Sequence, residues 1–362
     1  MRSPALLALL FVLPAGILSG VEGAAAPTAD PVEAEMAEVV DFFYGLRFAQ
    51  ARAAAQAAEA RHPGHPAPVF YSSIVAFQEL LAELGRSTAA AAAFDAEAGR
   101  AVAAAEAWAG TAPAVSEYYQ GAAHGFKARV LFATKGPMAS TGSARRAVKH
   151  LKRAMELDPS LEDGYMGLGM YEYYVGQAPL LARPFAFALV GVWGNEKKGL
   201  EHLERAARSQ GPARMEARSA LAAIYSSERQ MRWDEAEAIL KELVERYPGN
   251  PLYRLRRVYV ALRRGAWGEA KALADPDGAW VEQVPPALKV RSRAAALYRA
   301  AEGELLAGRF DEAAVLLSRL DGLELPPGME EWVKRRKGET LLTKPPPPDV
   351  WPQDWPVTGA PD

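Results

Sequence analysis

Five histidines are the side chains of this sequence that could most readily hold a metal ion or move a proton near neutral pH. Two of them, His62 and His65, share the turn His-Pro-Gly-His, which could hold a metal ion weakly. A structural metal site needs three or four ligands, and neither a cysteine nor a converging carboxylate stands nearby in the sequence. The favoured interpretation is a plain turn between helices, and no metal ion is predicted.

Other catalytic signatures are absent from the sequence. It has no cysteine, which excludes disulfides, zinc–thiolate sites, thiol catalysis and a lipid on an N-terminal cysteine. It also has no Gly-rich phosphate loop, no HExxH motif and no Gly-x-Ser-x-Gly motif. The formal net charge of −2 gives no support for nucleic-acid binding. We therefore predict a protein that is not an enzyme and that takes no cofactor.

A local group of arginines is the first candidate for binding. Arg254, Arg257 and Arg264 fall on one stripe of a predicted helix. Guanidinium groups suit bidentate capture of a carboxylate or a phosphate, so these residues are candidate partner-binding residues. The favoured alternative is that they are solvated and pair with neighbouring Glu and Asp side chains.

The second candidate is an apolar insertion at residues 176–195. Its candidate contact residues are Leu180, Leu181, Phe185, Phe187 and Trp193. The longest uninterrupted apolar run, from Pro184 to Gly194, is too short to span a membrane. The favoured interpretation is a hydrophobic plug that packs into a groove and extends the core. Contact with a partner or with lipid is the alternative.

The elements that must position these residues are helices, because Ala, Leu, Glu and Arg dominate and β-branched runs are few. A small residue recurs at positions 51, 101, 147, 199, 236, 270 and 313, with separations between 34 and 52 residues. At four of these positions a proline follows twelve residues later, at 63, 113, 159 and 248. This spacing predicts about six or seven pairs of packed helices.

Two segments between those helices have unusual compositions. The Ala-rich tract at 89–93 is predicted to be helical because alanine is the best helix former. The Gly/Ser/Thr-rich segment from Lys135 to Ser143 is predicted to be a loop.

Ala147, Leu151, Ala154 and Pro159, followed by Tyr165, Leu168 and Gly169, resemble the tetratricopeptide repeat. The resemblance covers residues 32–342. It implies an all-α, right-handed superhelix whose concave groove binds an extended peptide or a helix of a protein partner. From Tyr165 through the insertion to Gly199-Leu200, the chain is also similar to the eukaryotic outer-membrane and inclusion-clearance tetratricopeptide family.

In the tetratricopeptide family, residues of each first helix point into the groove. Transferred to the fourth pair, the resemblance implies that Asp163, Met166, Met170 and Tyr173 contact the partner. Glu172 departs from the pattern, because the family has an aromatic residue there. The alternative is that these tyrosine and methionine side chains only pack against the insertion.

The two ends of the chain differ from the repeat region. Arg2 and the short apolar run from Ala5 to Ile17 are typical of a secretory signal peptide, predicted for residues 1–25 with cleavage near Gly23 to Ala25. The Pro-rich tail at 344–362 is predicted to be extended or disordered. We therefore expect an exported, periplasmic scaffold that binds protein partners, for example in assembly of the cell envelope. A membrane-peripheral or lipid-binding protein that uses the insertion is the alternative.

Overall fold

The computed structural model describes residues 31–82, 88–179, 184, 187, 188, 191, 193–325 and 329–341. The predicted signal peptide and the predicted tail lie outside these residues. In the described part of the chain the regular elements are all helices, so the predicted all-α fold is confirmed. The chain divides into two compact units, residues 1–221 and 222–362, whereas residues 32–342 were expected to form one array.

The described residues of unit 1, which spans residues 1–221, form eight helices and most of a ninth. They are α1 (Pro31–Tyr44), α2 (Phe48–Arg61), α3 (Pro66–Ala82), α4 (Thr88–Ala107), α5 (Pro113–Lys135), α6 (Pro137–Leu157), α7 (Gly164–Gly176), α8 (Glu196–Arg208) and α9 (Ala213–Tyr225). The two helices of each of the first four pairs contact each other, and each of the first three pairs contacts the next. The first helices α1, α3, α5 and α7 also contact one another in chain order.

Unit 2, residues 222–362, contains the end of α9 and seven further helices. They are α10 (Trp233–Arg246), α11 (Pro251–Arg263), α12 (Trp267–Ala274), α13 (Trp280–Gln283), α14 (Pro286–Leu306), α15 (Phe310–Ser318) and α16 (Met329–Glu339). Helix α11 pairs with α12, and α14 pairs with α15. The last helix, α16, contacts both helices of the final pair, as expected for a segment that covers the end of the array.

The recurring small residues lie where the sequence predicts them, in the second helix of each pair. The six alanines of this set are completely buried, and Gly199 is buried as well. The prolines at 63, 113, 159 and 248 all come after the end of a second helix. Since a proline cannot continue a helix, each marks the passage to the next pair. The Ala-rich tract at 89–93 is helical, as predicted, and belongs to α4.

The segment from Lys135 to Ser143 was predicted to be a loop, but all of it except Gly136 is helical. Helix α5 ends at Lys135 and α6 begins at Pro137, so Gly136 alone separates them. Gly136 has a φ of +87°, a conformation that glycine adopts readily. The hydroxyls of Ser140 and Thr141 donate to the carbonyl of Pro137, at 2.7 and 3.2 Å. Proline at the first helical position and these hydroxyl contacts explain why a Ser/Thr-rich segment is helical here.

A buried charge network attaches α16 to α14 in unit 2. Arg336 donates to Glu302 over 3.0 Å, and Arg299 donates to the other oxygen of the same carboxylate over 2.5 Å. All three side chains are at most 2% exposed. Removing one member would leave a buried charge without its partner, which is costly. The network therefore fixes the position of the last helix.

The backbones of α7 and α8 approach each other closely at Gly199. A Cβ added at Gly199 would lie 2.5 Å from the backbone nitrogen of Tyr173 and 2.7 Å from its Cα. We predict that Gly199→Ala lowers the free energy of unfolding by about 3 kcal/mol, because backbone atoms cannot move aside as a flexible side chain can.

The matched control is Gly142→Ala in α6, where an added Cβ meets nothing within 4 Å. That change should be neutral or stabilise by up to about 1 kcal/mol, since alanine favours the helix. Urea unfolding of both variants measures the difference. Equal stability of the two variants would contradict the close approach of α7 and α8.

Candidate functional site

Asp163 stands just before α7 and joins the start of that helix to the start of α9. Its carboxylate accepts from the backbone N–H of Ala213 at 3.2 Å and from the hydroxyl of Ser209 at 3.3 Å. Gly211 makes room for it, since a Cβ there would overlap the carboxylate. Burial raises the pKa of Asp163 to about 6, and the two hydrogen bonds oppose that shift. Asp163 therefore stabilises a turn inside unit 1 and is only 7% exposed.

The other three residues that the resemblance places in a groove lie along α7. Tyr173 is 1% exposed and contacts α8 at Gly199, and Met166 is also buried. Met170 is partly exposed. Asp163, Met166 and Tyr173 are therefore buried within unit 1, while Met170 is partly exposed.

Glu172, which replaces the expected aromatic residue, lies on the side of α7 that faces α8. Lys198 donates to one carboxylate oxygen over 2.9 Å, and Nδ1 of His202 lies 2.9 Å from the other. Although burial opposes it, the net effect of these contacts is to lower the pKa of Glu172. A charged contact between α7 and α8 therefore takes the place of an aromatic one, and His202 lies between these two helices.

A partly buried ion pair between α5 and α9 was not predicted from the sequence. Arg129 donates to Glu216 over 3.0 Å, and both side chains keep about a quarter of their surface exposed. The guanidinium lies over the rings of Phe77 and Phe126, at 5.0 and 4.8 Å from their centroids. The net effect of burial is to raise the pKa of Glu216, although Arg129 opposes the shift. The partners are 87 residues apart in the chain, so no local pattern could reveal them.

The three arginines predicted to bind a partner lie in unit 2, and each has a neighbour there. Arg257 donates to Glu237 over 2.9 Å, and Arg264 lies 3.1 Å from Asp234. Arg254 donates to the carbonyl of Leu273 over 2.8 Å and lies over the ring of Trp280. Two of the three are therefore paired with acidic side chains, which is the alternative that the sequence favoured.

The histidines of unit 1 make structural contacts. His65 is buried against Trp108, with ring centroids 5.2 Å apart, and its Nδ1 accepts from the backbone N–H of Ala67. His150 lies 2.6 Å from a carboxylate oxygen of Glu117 and stacks on His124. Burial lowers the pKa of His124 to about 4. Among the residues that the structure describes, no group of three or more His, Asp or Glu side chains could hold a metal ion.

The insertion leaves and rejoins the α7–α8 pair at one point. Gly176 ends α7, and Gly194 lies so close to it that a Cβ on Gly194 would overlap the backbone of Val175 and Gly176. The backbone N–H of Asn195 donates to the carbonyl of Glu172 over 2.9 Å, and the Asn195 side chain caps α8. The two helices therefore pack together although seventeen residues separate Gly176 from Gly194.

The described part of the insertion lies against α6. Arg145 donates to the carbonyl of Ala188, and Lys152 donates to that of Gly191 over 3.0 Å. Phe187 and Trp193 are stacked, with centroids 4.4 Å apart and planes 11° from parallel, and they are 36% and 59% exposed. These two rings are thus exposed rather than buried in a groove. Leu180, Leu181 and Phe185 lie outside the described residues.

No described helix is both long enough and apolar enough to cross a membrane.

Comparisons with known proteins carry no argument about the function of this chain. No protein-family model matches the sequence, and no curated protein matches it. The helix pairs are tetratricopeptide-like. A solved tetratricopeptide repeat protein from Parabacteroides merdae is similar, with 13% identity, coverage of 86% of this chain and 99% of that chain, and a TM-score of 0.34. A likeness of this size carries no argument about a partner.

We predict that Asp163→Asn changes how the stability of the protein depends on pH. The folded pKa of Asp163, about 6, lies above its ordinary value of 3.8, so the folded state binds this proton more tightly than the unfolded state. The buried charge therefore destabilises the fold above pH 6, and the penalty disappears as the pH falls towards 4. As the pH is lowered from 7 to 4, the free energy of unfolding of the variant minus that of the parent should decrease by about 2 to 3 kcal/mol.

Urea unfolding of parent and variant at several pH values measures this change. Glu201→Gln in α8, which removes an exposed carboxylate, is the matched control. A constant difference between the Asp163 variant and the parent from pH 7 to pH 4 would show that this carboxylate is not destabilised by burial.

Proposed function

We propose that this protein is an exported, non-enzymatic scaffold that binds a protein partner on the first-helix face of unit 1. The supporting observation is the contact of α1, α3, α5 and α7 in chain order. Successive first helices that touch one another form a continuous surface made by a single chain. Surfaces of this kind are what stacked helix pairs use to bind extended partners.

The chemistry of this face suits a protein ligand. Met170 is partly exposed on α7, and methionine side chains adapt to apolar partners of different shapes. Arg129 is held against two aromatic rings and beside Glu216, so its guanidinium is already ordered. An ordered arginine loses less conformational entropy on binding a carboxylate or a carbonyl than a free one.

Capture of a partner tests this function. The chain without residues 1–25 is used as bait with an envelope extract of the source cells, and retained proteins are identified by mass spectrometry. We expect one reproducible protein partner, and Met170→Gln should lower its recovery about tenfold, because the change places an amide in an apolar contact.

Met138→Gln is the matched control, because Met138 is 73% exposed and lies at the start of α6, a second helix outside the proposed first-helix face. Circular dichroism checks that both variants fold. If the parent chain retains no reproducible protein, the scaffold function is wrong.

Export is part of the proposal and rests on the sequence of the first 25 residues. Expression of the full chain in a Gram-negative host, followed by fractionation and N-terminal sequencing, tests it. We expect a periplasmic product that starts between Ala24 and Ala26, and Leu9→Arg/Leu10→Arg should leave the precursor uncleaved, since charges disrupt the apolar run. A cytoplasmic product that retains Met1 would contradict export.

A second function, membrane-peripheral contact or binding of a hydrophobic ligand through the insertion, is favoured by the exposure of Phe187 and Trp193. It is compatible with the first function. The ring pair belongs to a segment that lies against α6, a second helix, whereas the proposed partner face is made of first helices.

A further inference from the structure

The exposed ring pair of the insertion lies beside the most basic helix of unit 1. Helix α6 carries five Lys and Arg side chains and one acidic side chain, although the whole chain has a net charge of −2. The basic residues are Arg145, Arg146, Lys149, Lys152 and Arg153. Residues 177–195 contain no Asp or Glu, so the insertion adds no negative charge to this surface.

The contacts place these charges next to the aromatic rings. Arg145 and Lys152 donate to the carbonyls of Ala188 and Gly191, which lie between Phe187 and Trp193 in the chain. Lys149 is on the same stripe of α6, four residues after Arg145 and three before Lys152. The basic stripe therefore runs under the part of the insertion that carries the exposed rings.

The acidic groups around this stripe leave much of its charge uncompensated. Glu156 pairs with Arg153 over 3.2 Å, and Glu117 on α5 lies against His150 rather than against a basic residue of α6. Arg146 and Lys149 are exposed and make no ion pair within the part of the chain that the structure describes. Arg146 and Lys149 are thus exposed positive charges on the same helix that the described part of the insertion contacts.

We propose that the ring pair Phe187–Trp193 and the basic residues of α6 form one surface that docks on an anionic lipid membrane. The inference rests on the second function proposed above and names its ligand. Tryptophan and phenylalanine side chains partition to the boundary between headgroups and acyl chains. Lysine and arginine beside them are attracted by the negative surface potential of anionic lipids. An apolar protein partner would fit the rings but would leave the charges of α6 without a role.

The connection at Gly176 and Gly194 explains how the insertion can reach a membrane without disturbing the helix pair. Because Gly176 and Gly194 lie together, the chain leaves and rejoins the α7–α8 pair at one point, and the contact of the two helices through Gly199 is preserved. The rings and the basic stripe can therefore be altered by substitution with little effect on the fold.

The test is sedimentation of the chain lacking residues 1–25 with vesicles of phosphatidylcholine and with vesicles that also contain about 30% phosphatidylglycerol. We expect binding about tenfold stronger to the anionic vesicles in about 0.1 M salt, and most of this difference should vanish at about 1 M salt, where charges are screened. Phe187→Ser/Trp193→Ser should lower binding to the anionic vesicles about tenfold. Arg146→Gln/Lys149→Gln should abolish most of the preference for anionic lipid.

Two matched controls lie in unit 2. Val290→Ser/Val315→Ser removes two exposed apolar side chains, and Lys241→Gln/Lys334→Gln removes two exposed positive charges. Neither should change binding by more than about twofold. Thermal unfolding confirms that each variant is folded.

Each contrary result overturns the inference in a different way. If the parent binds both kinds of vesicle equally and the ring variant binds neither, lipid contact through the rings is supported and recognition of anionic lipid is refuted. Absence of binding to either vesicle would refute the second function as well, whereas recovery of a protein partner would still support the scaffold. Vesicle binding that neither double variant weakens would place the lipid-binding surface elsewhere.

Discussion

The close approach of paired helices at small residues is the constraint on which the described fold depends. Ala51, Ala101 and Ala147 are completely buried in the second helices of the first three pairs, and Gly199 has the same position in the fourth. At Gly199 the backbones of α7 and α8 are so close that even a methyl group would overlap Tyr173. Because interiors are close-packed, a larger side chain at such a position would have to separate the helices.

Buried charges determine details that hydrophobic packing alone would leave open. In unit 1, Asp163 receives hydrogen bonds from the start of α9, and Glu172 lies against Lys198 and His202 of α8. In unit 2, the carboxylate of Glu302 accepts hydrogen bonds from Arg299 and Arg336. Charged groups tolerate burial only where partners are placed for them. These residues therefore specify which surfaces of neighbouring helices meet.

The insertion leaves and rejoins the helix pair that carries it at one point. Its two ends meet at Gly176 and Gly194, and the ordinary contact between α7 and α8 continues beyond them. The described part of the insertion contacts α6, a second helix, through Arg145 and Lys152.

The sequence by itself determined the helix pairs, because a small residue recurs in each second helix and in four of them a proline follows twelve residues later. Its composition also pointed to the unusual character of residues 176–195. The loop predicted for the Ser/Thr-rich start of α6 was wrong. This segment is helical, and two of its hydroxyls donate to the carbonyl of Pro137 within the same helical turn. Only the tertiary structure decided that Asp163 and Tyr173 are buried, that Arg129 meets Glu216, and that Phe187 and Trp193 stack beside a basic helix. These outcomes depend on residues far apart in the chain, and a local pattern contains no information about which distant surface will cover a given side chain.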